Sequence, residues 1–119
     1  MSQNFQSGDF LIFQIEAAFG LLRLLEIEKT ENDTIWHLAA YEDMFLDIDT
    51  ADKALENPQN LKINLKHAAL TNRAFEATQT SRMKNESLND EELKPLQDWK
   101  NDEKREVSDR TVRLLLGLR

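Results

Sequence analysis

Residues 8–28 read GDFLIFQIEAAFGLLRLLEIE, and the fold turns on whether they form one helix or two paired strands. At helical spacing the apolar side chains between 10 and 27 fall all round the axis and leave no polar stripe. Such a helix must be covered on every side, which a chain of 119 residues can hardly achieve. As strands the same residues make sense. Leu11, Phe13 and Ile15 alternate with Ile12, Gln14 and Glu16; Leu21, Arg23, Leu25 and Ile27 alternate with Leu22, Leu24, Glu26 and Glu28. Apart from Arg23, the polar members gather toward the ends, as in strands partly covered on both faces. The stretch therefore predicts a hairpin entered at Gly8-Asp9 and reversing within 16–20. Gly20 is expected at a bulge or at a close approach of backbones.

Working outward, Glu31-Asn32-Asp33 is a turn signal, and 34–41 is rich in β-branched and aromatic residues, as a third strand requires. Short connections make these three strands a meander. Asp49 or Thr50 is then expected to cap a short helix over 51–56, which Asn57-Pro58 ends. Leu61, Ile63 and Leu65 alternate with Lys62, Asn64 and Lys66, a half-buried strand that continues toward Leu70. Residues 72–78 read as a last strand, with the start of a helix as the alternative, and 79–86 as exposed polar chain. Asn89 and Glu92 have capping-box spacing, with Leu88 and Leu93 placed for a hydrophobic staple, so a helix starts at 89–90. Pro95 interrupts one of its hydrogen bonds. Ser108 or Asp109 is expected to cap a final helix with Thr111, Leu114, Leu115 and Leu118 on one face; the alternative is a terminal strand. The fold class is thus α+β within one domain, 1–119. About five antiparallel strands form a small, strongly curved sheet or partly open barrel in a β-rich part (8–78), and a helical part (89–118) follows.

Charge is unevenly spread. Residues 1–60 hold twelve acidic and three basic side chains, whereas 100–119 hold four acidic and six basic; the net charge is −7. An acidic body repels phosphate backbones, so nucleic acid is not an expected partner. No apolar run is long enough to span a bilayer, the first ten residues lack signal-peptide character, and cysteine is absent. These features favour a soluble, cytoplasmic chain without disulfides.

Gly8-Asp9, a strand, a turn, Phe19-Gly20 and Arg23-Leu24-Leu25 together resemble the opening of small Src-homology-3-like barrels of a bacterial toxin-immunity type. The resemblance covers the first 48 residues. Ala17-Ala18 departs from it, standing where a glycine-rich turn is expected. It implies a partner-binding barrel with no catalytic residues.

Chemistry is sparse. His37 and His67 lie on separate predicted strands, meet only if those strands are neighbours, and read as ordinary strand histidines. Asp47-Ile48-Asp49-Thr50-Ala51-Asp52 looks like a calcium loop, but the sixth position is Asp52 and the twelfth is Pro58, where glycine and glutamate are required. No nucleophile elbow or phosphate-binding glycine loop occurs. No metal, cofactor or enzymatic activity is expected. Trp36, Tyr41, Phe45, Phe75 and Trp99 read as core or half-buried packing. Two candidate interaction surfaces remain. One is the acidic run Glu42, Asp43, Asp47, Asp49 and Asp52, suited to a basic protein partner. The other is the C-terminal face Leu114, Leu115 and Leu118 flanked by Arg110 and Arg113, suited to a homodimer or heteromer seam. The leading expectation is a non-catalytic protein-interaction module. A self-associating assembly factor is the alternative, and a small ligand-binding or hydrolytic barrel comes third.

Overall fold

A computed structural model of the chain describes residues 4–117. Residues 8–28 form the expected hairpin: β1 is Asp9–Ile15 and β2 is Ala18–Lys29, paired antiparallel from Phe10↔Arg23 to Ile15↔Ala18. The reversal takes only Glu16 and Ala17. Glu16 has φ +50°, the positive value a two-residue hairpin loop demands at its first position. Gly20 sits inside β2 opposite Phe13, and a Cβ there would lie 2.7 Å from Phe13 Cζ. The pairing of β2 with the next strand also shifts register between Gly20 and Leu22. Close approach and bulge therefore coincide at this residue.

β3 (Thr34–Phe45) pairs with β2, and β4 (Ile63–Thr71) pairs with β3. β5 (Ser81–Asn85) returns to the far side of β1, giving the order β4-β3-β2-β1-β5. Neighbouring strands in this order pair antiparallel, and register shifts interrupt every pairing except β1–β2. Bulges of this kind bend strands and raise their twist, which curves the open sheet.

Helices cover both faces. On one, Leu11, Phe13, Leu22, Leu24, Trp36 and Leu38 pack beneath α2 (Asn72–Ala77) and the C-terminal α4 (Val112–Leu115), through Phe75 and Val112. Phe75 stacks on Trp36 with ring centroids 3.9 Å apart, and Trp36 Nε1 donates to Asn72 Oδ1 at 2.9 Å. On the other face, α1 (Ile48–Ala54) brings Ala51, followed by Leu55, onto Phe10, Ile12, Leu21 and Tyr41, while α3 (Asp90–Lys100) lays Leu96 on Leu25 and Ala39. The capping box at Asn89 and Glu92 is formed, and Leu88 and Leu93 pack against that last cluster. No helix of the described residues is long and apolar enough to cross a membrane.

Several local expectations change. Asp47, not Asp49 or Thr50, caps α1, because its carboxylate accepts from Thr50 N at 2.7 Å. For residues 72–77 the helix alternative holds over the strand: Thr71 caps them and the helical turn buries Ala74 and Phe75. Residues 81–85 are largely exposed, as expected, but they form a strand. The outer edge of β1 needs backbone partners, and this polar segment supplies them. Ile63 is exposed on edge strand β4, whose burial falls later, at Ala69 and Leu70. The last helix is a single turn capped by Thr111, not Ser108 or Asp109. Gly117, at φ +73°, terminates it in the left-handed conformation. Ser108 instead bridges to Leu70.

Candidate functional site

The acidic run lies where β3 leaves the sheet and α1 begins, and its members have different roles. Asp47 accepts from both the backbone and the hydroxyl of Thr50, and these hydrogen bonds hold its carboxyl below the usual carboxylate range. Asp43 accepts from Lys62 N at 2.8 Å and ties β3 to the chain entering β4. Glu42, Asp49 and Asp52 are exposed. Among these acids are three apolar side chains that the core does not take: Met44, Leu46 and Ile48. Leu46 is 82% exposed and Ile48 51%.

The C-terminal surface is smaller than expected. Val112 is buried, and Leu115 and Leu116 pack on the protein's own core. Leu114 is exposed, Arg110 is exposed and Arg113 is half-buried. Leu118 lies outside the described residues. α1 and α4 cover opposite faces of the sheet, so the two candidate surfaces do not merge.

A third cluster arises from strand register. β3 and β4 are neighbours, and His37 faces Ala69, which makes His67 its diagonal neighbour on the same face. His37 Nδ1 and His67 Nε2 are 2.9 Å apart. On the other side of β3, Glu26 pairs directly with His37, and Glu28 is diagonal to it. His37 Nε2 lies 2.9 Å from Glu28 Oε1. The His37 ring is fully buried. Trp99 of α3 closes the cluster, with its ring 4.8 Å from His37 and 5.7 Å from His67. The next residue, Lys100, reaches Glu26 at 3.0 Å. Burial, followed by the His37 ring, pushes the His67 pKa down to about 4. Outside Trp99, a groove of about 500 Å³ runs past His67, Ser108 and Arg110.

What holds α3 over this cluster is Arg23, a charged residue in the middle of an apolar strand. Its side chain is 3% exposed and pairs with Glu92 at 3.0 Å. It also donates to the carbonyls of Gly8 and Ser87 and lies 4.1 Å from the centre of the Phe10 ring. Glu92 is at once the partner of Arg23 and the reciprocal half of the helix cap. One carboxylate thus joins the start of α3 to the centre of β2.

Fold and sites together define a small α+β domain with an open, curved antiparallel sheet, an acid-fringed apolar patch at one corner and an imidazole–carboxylate cluster under α3. No family model, curated protein or solved structure matches the chain.

Proposed function

We propose that the protein is a non-catalytic interaction module that docks a protein partner on the corner formed by Met44, Leu46 and Ile48. The observation that carries this reading is the 82% exposure of Leu46 amid acids. An exposed apolar centre with a charged rim has the anatomy of a protein interface. The rim of Glu42, Asp49 and Asp52 selects the occupant: a protein presenting an apolar side chain ringed by Lys or Arg. Opposite fields would speed the encounter, and the apolar contact would slow dissociation. The resemblance of the opening strands to toxin-immunity barrels, which implies a partner-binding barrel, points the same way. A cytoplasmic location belongs to the same proposal. Self-association has less support, because most of the C-terminal apolar face is occupied by the protein's own core.

The test compares Leu46→Asp and the pair Asp49→Lys/Asp52→Lys with the native chain in affinity capture, followed by direct binding to each purified protein that is retained. Asp47 is left intact because its loss would also uncap α1. Leu46→Asp should leave stability within about 0.5 kcal/mol and abolish binding. The lysine pair should mainly lower the association rate and its salt dependence. A partner bound equally well by all three proteins refutes the proposal.

A further inference from the structure

Among the described residues, one set offers three ligand atoms of mixed chemistry within reach of a single ion: His37 Nε2 and one carboxylate oxygen each from Glu26 and Glu28, all within 4.8 Å of one another. We propose that these three residues bind a divalent first-row transition ion, with Zn²⁺ the leading occupant. His67 is a positioning residue for this site, and Lys100 is the ion's competitor.

Three features of the geometry argue for this. The first is donor chemistry: one imidazole with two carboxylates and no thiol suits Zn²⁺ or Mn²⁺ better than copper(I), and the imidazole disfavours Mg²⁺ and Ca²⁺. Tetrahedral bonds of about 2.0–2.2 Å place ligand atoms about 3.4 Å apart. The long Glu26 and Glu28 side chains, each about one-third exposed, close that difference by moving under about 1 Å each.

The second feature is the support behind His37. A metal-bound imidazole generally has its other ring nitrogen fixed by a hydrogen-bonding partner. Here His67 Nε2 lies 2.9 Å from His37 Nδ1, and Trp99 packs against both rings. His37 is buried and cannot turn away from the carboxylates.

The third feature is the positive charge already present. Lys100 Nζ lies 3.0 Å from Glu26, so a cation occupies the open side of the set. Lys100 is exposed and can swing into water when an ion enters.

In the neutral pair without metal, His37 Nε2–H donates to Glu28, and His37 Nδ1 accepts from His67 Nε2–H. With the ion on His37 Nε2, that proton sits on Nδ1 and donates to His67 Nε2, while the His67 proton moves through water to its own Nδ1. Both rings change tautomer, and the neutral pair loses no proton.

The experiment uses the tag-free full chain at pH 7.5. Zn²⁺ binding is followed by calorimetry, and the imidazole nitrogens by long-range ¹H–¹⁵N spectra. One equivalent of Zn²⁺ should bind and shift His37 Nε2 as the coordinated nitrogen. Glu26→Gln and Glu28→Gln should each weaken binding by at least about tenfold. These glutamates are about one-third exposed, so both variants should fold. Lys100→Ala should tighten binding severalfold by freeing Glu26. The proposal is overturned by the absence of binding, by affinity unchanged in the glutamine variants, by unchanged or weaker binding in Lys100→Ala, or by coordination at His67 in place of His37.

Discussion

Replacing Glu92 by Ala should be among the costliest single changes on this protein's surface. Glu92 is about a quarter exposed, yet its partner Arg23 is buried at 3%. Without the carboxylate, the guanidinium keeps only the Gly8 and Ser87 carbonyls and the Phe10 ring. Breaking a fully buried pair from one side costs about 3–5 kcal/mol, and the partial exposure of Glu92 lowers that figure. The same substitution removes half of the capping box, worth about 0.5–1 kcal/mol. Together these give about 2–4 kcal/mol, out of about 5–15 kcal/mol for a typical domain. The variant should therefore still fold, with a transition that can be measured. Arg23→Met, Glu92→Gln and the double variant complete a cycle read by urea unfolding under circular dichroism. Because the double variant buries no unpaired charge, its cost should fall short of the sum of the singles by about 1–2 kcal/mol. A loss below about 1 kcal/mol for Glu92→Ala, or costs additive within about 0.5 kcal/mol, would refute the role of this pair as the clamp on α3.

Gly20→Ala should destabilise by about 1–3 kcal/mol through overpacking, because the new methyl meets the Phe13 ring at 2.7–2.8 Å; a neutral result in thermal unfolding would show that the ring can move aside. His67 gives a pH prediction. Its folded pKa of about 4 lies below the ordinary 6.5, so the unfolded chain binds the proton more readily. Its contribution is fully present above about pH 6.5 and is lost as pH falls toward about 4. The full shift corresponds to about 3 kcal/mol, which solvent screening of the half-exposed ring reduces to about 1–2 kcal/mol. His67→Asn should flatten this part of the stability–pH curve, and equal slopes in both proteins would exclude the effect.

Local signals were legible wherever neighbouring residues sufficed to set the structure. The hairpin followed from alternation in 8–28, the turn from Glu31-Asn32-Asp33, and the start of α3 from Asn89 and Glu92. Segments whose conformation depends on distant partners were misread or left open between strand and helix. Residues 81–85 carry almost no strand pattern and pair because β1 presents a free edge. Residues 72–77 look strand-like, yet Phe75 must reach Trp36, and a capped helical turn takes it there. The C-terminal apolar run, which suggested a partner, mostly fills the protein's own core.

The candidate sites divide in the same way. The acidic run could be read directly, although separating Asp43 and Asp47, which hold structure, from the exposed Glu42, Asp49 and Asp52 required hydrogen-bond partners. The imidazole cluster could not be read, because His37 and His67 are 30 residues apart. Their one advance signal was a condition, that their strands be adjacent. By itself the sequence determined an acidic α+β chain with an antiparallel meander and a capped helix, because alternation, turn chemistry and capping act between residues a few positions apart. Tertiary structure alone decided the edge strand, the clamp at Arg23 and the meeting of His37 with Glu26, Glu28 and His67, because strand register and helix docking are set by burial summed over the whole sheet.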